Sequence, residues 1–224
     1  VLAYLKKLAA LDPRIKVKLR STNGHISATS NDALAMAEGD WVALLDHDDL
    51  LAEDALYWVA KTLQSHADAG VIYSDEDKIG LDGKRCDPYF KPDWSPELLL
   101  SQNYISHLGV YRRSLLESVG GFRLGLEGAQ DHDLGLRCTM HLEPKQVVHI
   151  PRVLYHWRVL PGSTALRGDE KGYANDAGLR AVADYLATSG LGGSVEPLPN
   201  GYYHVAPSLP TLLPLVSLVI PTRN

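Results

Sequence analysis

Three carboxylates and an imidazole follow one another at Asp46-His47-Asp48-Asp49, directly after the apolar run 41–45. A short continuous apolar run suits a strand covered on both faces, the habit of parallel sheets. Ligands bind at the carboxyl ends of the strands in such sheets. Clustered oxygen donors there suit magnesium or manganese, and the cation would in turn hold a diphosphate. The competing reading is local: Asp48 or Asp49 caps the helix that follows. One acid suffices for a cap. Three packed together repel one another, and a cation relieves that repulsion.

A second group, Gly128-Ala129-Gln130-Asp131-His132-Asp133-Leu134, opens a helix. Asp131 has the chemistry of a general base, since an ordinary carboxylate is ionised at neutral pH and takes a proton late in a transition state. A cap by Asp131 or Asp133 explains the same spacing, and both readings stand. A third group is Tyr155-His156-Trp157-Arg158 at a strand end. His156 offers the nitrogen of a metal ligand, but a lone histidine among nine also fits a place in the core. A fourth is Tyr73-Ser74-Asp75-Glu76-Asp77-Lys78, which suits either the wall of a site or a solvated charged turn. Tyr89, Phe90 and Trp94 offer faces for a sugar ring, or simply pack within a proline-rich loop. No glycine-rich phosphate loop, nucleophile elbow or zinc spacing is present in the sequence.

These residues need elements to hold them. The chain has 224 residues, 45% hydrophobic and 22% charged, which is the globular range. A chain this long buries a core without disulfides, and Cys86 and Cys138 read as reduced thiols. The net charge of -5 gives no basic footprint, so no nucleic-acid partner is expected. No apolar run reaches the ~18 residues of a membrane span. Residues 1–11 have helical spacing, stopped by Asp12-Pro13. Ile15, Val17 and Leu19 alternate with Lys16, Lys18 and Arg20, which predicts a strand. Helices are predicted over 27–38 and 53–66, with strands over 41–45 and 70–74. This alternation argues for an α/β sheet with crossover connections.

Further along, 84–96 reads as a loop with an edge strand, 108–111 as a strand, and 113–119 and 131–141 as helices. Residues 147–150 and 153–157 read as two strands, and 158–169 as an aperiodic loop. A long helix is predicted over 170–186. A hairpin follows around Pro199-Asn200-Gly201, then a linker over 206–214 with three prolines. A buried-type strand spans 215–220.

Taken in order, these segments resemble a family 2 glycosyltransferase of the GT-A fold: α/β, with a mostly parallel sheet flanked by helices. The likeness covers most of the chain. It rests on Asn23-Gly24, Asn31, Ala37-Glu38-Gly39-Asp40-Trp41-Val42, the Asp46-His47-Asp48-Asp49 form of the DxD motif, and Tyr73-Ser74-Asp75-Glu76-Asp77. Phe90-Lys91-Pro92-Asp93-Trp94-Ser95-Pro96 and Gly120-Gly121-Phe122-Arg123 are similar to the bacterial polysaccharide and O-antigen branch. Gln130-Asp131-His132-Asp133-Leu134 stands where the family has its catalytic motif.

The resemblance implies inverting transfer of a sugar from a nucleotide-diphosphate donor to a glycan or lipid-linked glycan. It implies a divalent metal, manganese or magnesium, and a place in the cytoplasm or at the inner face of the membrane. By match, Asp46, Asn31 and Arg158 would contact the donor, and Asp48 and His156 would hold the metal. Asp131 would take the acceptor's proton, and Arg158 with the loop after it would close over the donor. His47 and His132 stand at variable positions and receive no role. A non-catalytic scaffold module is the alternative.

Relative to the family pattern, the opening strand, helix and second strand do not precede Val1. Val216-Ser217-Leu218-Val219-Ile220-Pro221-Thr222 is similar to that opening strand. The expectation is therefore an incomplete GT-A domain over 1–169, a helix-and-hairpin connector over 170–213, and the first strand of a second module over 214–224. Tandem modules account for this better than a permuted chain. Residues 215–220 are expected to fill the empty sheet slot, in the same chain or by strand exchange in a dimer.

Overall fold

The computed structural model describes residues 1–159 and 172–223. The chain opens with helices Leu2–Leu11 (α1) and His25–Leu34 (α2), then strands Trp41–Ala43 (β1) and Leu50–Leu51 (β2). Helix Ala55–Ser65 (α3) leads into the long strand Val71–Ile79 (β3) and its partner Arg85–Tyr89 (β4). Helix Pro96–Ser101 (α4), strand Gly109–Arg112 (β5) and helices Arg113–Ser118 (α5) and Gln130–Thr139 (α6) follow. Strand Val147–Arg158 (β6), helix Gly172–Thr188 (α7) and the hairpin Ser194–Pro197 (β7) and Tyr203–Ala206 (β8) complete the described elements.

The main sheet has six strands in the order β1-β5-β3-β6-β2, with β4 beside β3. Its pairing corrects the sequence expectation. Only β3 and β6 run parallel, while the pairs β1–β5, β3–β5, β3–β4 and β2–β6 are antiparallel. Short apolar runs carry no strand direction. A central strand with helices on both faces has the same composition whichever way its neighbours run. The two strands expected at 147–150 and 153–157 are one strand. The register against β3 shifts around Pro151-Arg152, where proline has no N–H to give the ladder.

Helices cover both faces of β3. Val71 and Tyr73 join a core with residues of α4, α5, α6 and α7, while Ile72 faces a second core under α3. This is the period-two alternation of a strand buried on both sides. Ala181, Val182, Leu186 and Tyr203 belong to the first core, so residues 172–206 are packed rather than loose. A Cβ at Gly178 would lie 1.9 Å from the Tyr203 hydroxyl, so only glycine lets the hairpin seat on α7.

Two further expectations are corrected. Residues 15–20 alternate as predicted but form no strand. Their cations reach α2 and the residues after it: Lys16 bonds Met36 O and Glu38, and Lys18 and Arg20 bond Asp32. Residues 215–220 do not fill a sheet slot in this chain. They form no strand, and Leu215 and Val219 are 99% and 88% exposed. Among the described residues, no helix is long and apolar enough to cross a membrane.

Candidate active site

The acidic turn 46–49 is fixed by the end of β6. The Tyr155 hydroxyl accepts from the Asp46 N–H at 3.2 Å and donates to Asp49 Oδ2 at 2.5 Å. The Arg158 N–H donates to Asp49 Oδ1 at 2.8 Å, and Arg158 Nε donates to Asp48 O at 2.6 Å. β2 pairs with β6 just beyond, Leu50 opposite His156 and Leu51 opposite Tyr155. Asp49 is therefore a buried brace, while Asp46 and Asp48 keep partly exposed side chains. The capping alternative fails: the cap position of α3 is Asp54, which makes no side-chain cap bond.

Asp46, Asp49 and His107 bring ligand-capable atoms within 4.8 Å of one another. Burial lifts the Asp46 carboxyl above its ordinary value. His107 opposes the rise, and Asp49, Asp131 and Asp48 add to it. Crowded negative charge of this kind is what a divalent cation relieves, and the oxygen-rich donor set suits magnesium or manganese.

Three of the expected site residues have partners within the fold. His156 Nδ1 lies 2.6 Å from Asp77 Oδ1, and the cluster of ligand-capable atoms found among the described residues is Asp46, Asp49 and His107. Tyr155 and Trp157 share a face with His107, and His156 between them turns to the opposite face. Asn31 is spent on bracing. Its amide donates to Phe122 O and accepts from Phe122 N, each at 2.8 Å, and it does not line the cavity next to it. Arg158 holds the acidic turn, as above. The loop expected to close over the donor lies mostly at 160–169, outside the described residues.

Asp131 lies in the first turn of α6, whose cap position is Ala129 with no side-chain cap bond. Its Oδ2 accepts from Asn103 Nδ2 at 2.8 Å. Asp133, two residues on, is buried and clamped by Arg123 and Arg137. Two cavities meet at Asp131. The first, about 350 Å³, is lined by α2, β1, Asp46, His107 and Asp131. The second, about 580 Å³, lies beyond Ser106 and Asp131, which line both.

β3 supplies a row of acids that the sequence leaves open as a charged turn. All three are buried and paired. Asp75 meets His149 at 2.8 Å, and Asp77 meets Arg85 and His156, each at 2.6 Å. Glu76 takes Lys91 Nζ at 3.2 Å, the His107 N–H at 3.1 Å and His107 Nδ1 at 3.2 Å. Burial pushes Glu76 up, but His107 and Lys91 outweigh it, and its carboxyl sits below the ordinary value. Burial pulls His107 down, but the Glu76 hydrogen bond and charge, with Asp131 and Asp46, leave it above the ordinary imidazole value. An imidazolium contribution raised in this way is full below the unfolded value near 6.5 and is lost as pH rises through the folded value. We expect the His107 ring, followed by NMR in metal-free buffer, to titrate above the ordinary imidazole value near 6.5. A midpoint at or below that ordinary value would contradict the pairing.

Sequence reasoning missed His107, Lys91 and Asn103 as site-building residues. Lys91 lay inside a quoted motif with no role, and a lone histidine before a strand carries no local signal.

The family model for glycosyl transferase family 2 matches residues 1–120. The chain belongs to glycosyl transferase family 2. It is 50% identical over 224 residues to the uncharacterized protein y4gI of Sinorhizobium fredii, covering 98% of this chain and 24% of that protein. It is 37% identical over 221 residues to the O-antigen biosynthesis protein RfbC of Myxococcus xanthus, covering 98% of this chain and 17% of that one. The chain thus spans a quarter or less of the length of these relatives. The structure of S. aureus TarS 1-349 in complex with UDP-GlcNAc superposes with a TM-score of 0.64 at 20% identity, over 84% of this chain and 54% of that one. This places the fold among GT-A-type glycosyltransferases, as a mixed sheet flanked by helices.

Proposed function

We propose that this chain is the donor and metal core of an inverting glycosyltransferase of bacterial surface polysaccharide synthesis, acting in the cytoplasm or at the inner membrane face. The observation that carries the reading is Asp131, which stands where two cavities meet, with the acidic turn on one side only. In this reading the nucleotide-diphosphate sugar occupies the first cavity and the hydroxyl of a glycan or lipid-linked glycan enters from the second. Asp46, Asp48 and Asp49, with His107 beside Asp46, would hold the divalent cation. When bound, the cation offsets charge building on the leaving diphosphate. Asp131 accepts the acceptor's proton, and its bond from Asn103 orients it. Tyr155 and Arg158 keep the acidic turn in place. The O-antigen role of the relative RfbC supports the polysaccharide context. The expected division of the chain into a module, a helix-and-hairpin segment and the start of a further module belongs to the same proposal, as does strand exchange between copies through 215–220.

The test is thermal. Manganese should raise the melting temperature, and UDP or GDP added with it should raise it further. At a hundredfold excess over Kd, one ligand adds about 2.7 kcal/mol. Asp48→Asn should remove the shift. If neither nucleotide shifts the melting curve in the presence of manganese, the donor reading fails.

A further inference from the structure

We infer that the helix and hairpin over 172–206 form the specificity wall of the second cavity, and that this cavity takes an uncharged sugar ring of the acceptor. The inference rests on the donor reading above for the direction of transfer, and on independent observations for the wall.

The first observation is placement. Asn175 of α7 and Tyr202 of the hairpin line the second cavity together with Tyr89, Gln102 and Trp157. These wall residues lie beyond the 1–120 stretch matched by the family model. The wall is built into the fold. A Cβ at Gly128 would lie 2.8 Å from the Ala174 Cβ, so the start of α7 sits directly on the loop before Asp131. Tyr203 stacks on His132, the residue after Asp131, with ring centroids 6.0 Å apart. The hairpin tip and Asn175 are neighbours, because a Cβ at Gly201 would lie 3.5 Å from Asn175 Oδ1. The wall and the proposed base are thus parts of one packed unit.

The second observation is chemistry. Aromatic faces with a few amides are the lining that holds a sugar: ring C–H groups lie on the aromatic face and hydroxyls bond the amides. Tyr202 is 44% exposed, which leaves its face available for that contact.

The third observation is charge. The lining holds four acids, Glu76, Asp77, Asp87 and Asp131, and one cation, Lys78. Lys78 is already paired with Asp87 at 3.3 Å. Lys91 and Arg85 are engaged by Glu76 and Asp77. Asp131 takes its hydrogen bond from the neutral Asn103 amide, and the nearby His107 is engaged by Glu76. A uronate entering here would face Asp131 with no uncommitted cation among the described lining residues, and like charges repel. A neutral ring meets no such cost.

The experiment is saturation-transfer NMR on the whole chain. The probes are three neutral disaccharides (maltose, mannobiose and chitobiose) and one glucuronate-containing disaccharide. At least one neutral probe should bind, with the uronate weaker by about tenfold or more. Tyr202→Ala and Asn175→Ala should each weaken the neutral probe about fivefold, while Tyr202→Phe should keep its affinity because the ring face survives. Tyr202 is exposed, so its loss leaves the core packed. The inference is overturned if no neutral probe binds, if the uronate binds as well, or if Tyr202→Ala changes nothing. The manganese-plus-nucleotide melting shift of the unaltered chain is recorded on the same samples. Its absence beside intact sugar binding defeats the donor reading alone. Its presence without sugar binding defeats the wall alone.

Discussion

Asp131→Asn should slow sugar transfer about a hundredfold or more and leave the fold untouched. The side chain keeps its shape, and the new amide oxygen still accepts from Asn103 Nδ2 in place of Oδ2. Asp131 is only partly buried and makes no cap bond, so its charge is not needed for the fold; losing it relaxes the upward pull on Asp46 and His107. What disappears is the group proposed to take the acceptor's proton. General-base catalysis contributes roughly 10²–10⁴ in rate, so turnover should fall by about that factor. The measurement is release of nucleotide diphosphate from a panel of sugar nucleotides by the full-length protein, wild type against variant. The melting temperature and the manganese-plus-nucleotide shift should stay the same. A variant with a tenth or more of wild-type turnover would remove Asp131 from the base role. Loss of turnover together with loss of the nucleotide shift would point to a binding role instead.

The sequence and the structure agree where a signal is local. The acidic turn after β1, the helix opening at Gln130 and the aromatic end of β6 each sit in consecutive residues, and all three come together around the first cavity or its brace. The disagreements arise where partners are distant. His107 lies 61 positions from Asp46 in the chain, yet their side chains approach to 3.9 Å. No spacing rule connects them, because β5 enters the sheet beside β1 only after α4 and its loop. His156 shows the converse. Its local context, an imidazole at a strand end, suited a metal ligand. The alternation of β6 decides its direction, and Asp77 on the neighbouring strand takes it. Asn31 likewise has a distant partner, the Phe122 backbone 91 positions away. Strand direction was hidden for a different reason. Burial on both faces of β3 sets its composition, and that composition is blind to whether β5 and β4 run with it or against it. Residues 15–20 show alternation alone misleading, since lysines and an arginine at every second position serve ion pairs with α2 and the residues after it rather than a sheet face.

Lys91→Met should cost the protein about 3 kcal/mol, the low end for removing one partner of a buried ion pair. The Lys91 side chain has no exposed surface. Its ammonium donates to Glu76 Oε2 at 3.2 Å, to Ile105 O at 2.9 Å and to His107 O, so all three donors are used. Burial pulls its pKa below the ordinary lysine value, with the Glu76 charge and hydrogen bond opposing, so the cation is held against a desolvation cost. Methionine fills much of the volume and supplies no donor. Glu76 would then keep only the His107 bonds, which is why the low end of the range applies. Two backbone carbonyls would also lose their partner inside the protein. The same bonds fix the loop that carries Ser106, whose φ of 33° is a conformation non-glycine residues rarely adopt. Ser106 and His107 both line the first cavity, so loosening this loop should weaken the metal-plus-nucleotide shift as well as the fold. Urea denaturation of the metal-free chain reads the first effect and the melting shift reads the second. Lys91→Met with Glu76→Gln should be more stable than Lys91→Met alone, because the uncompensated buried charge is removed along with its partner. A loss under about 1 kcal/mol for the single variant, within the range of an exposed pair, would show that His107 alone sustains Glu76.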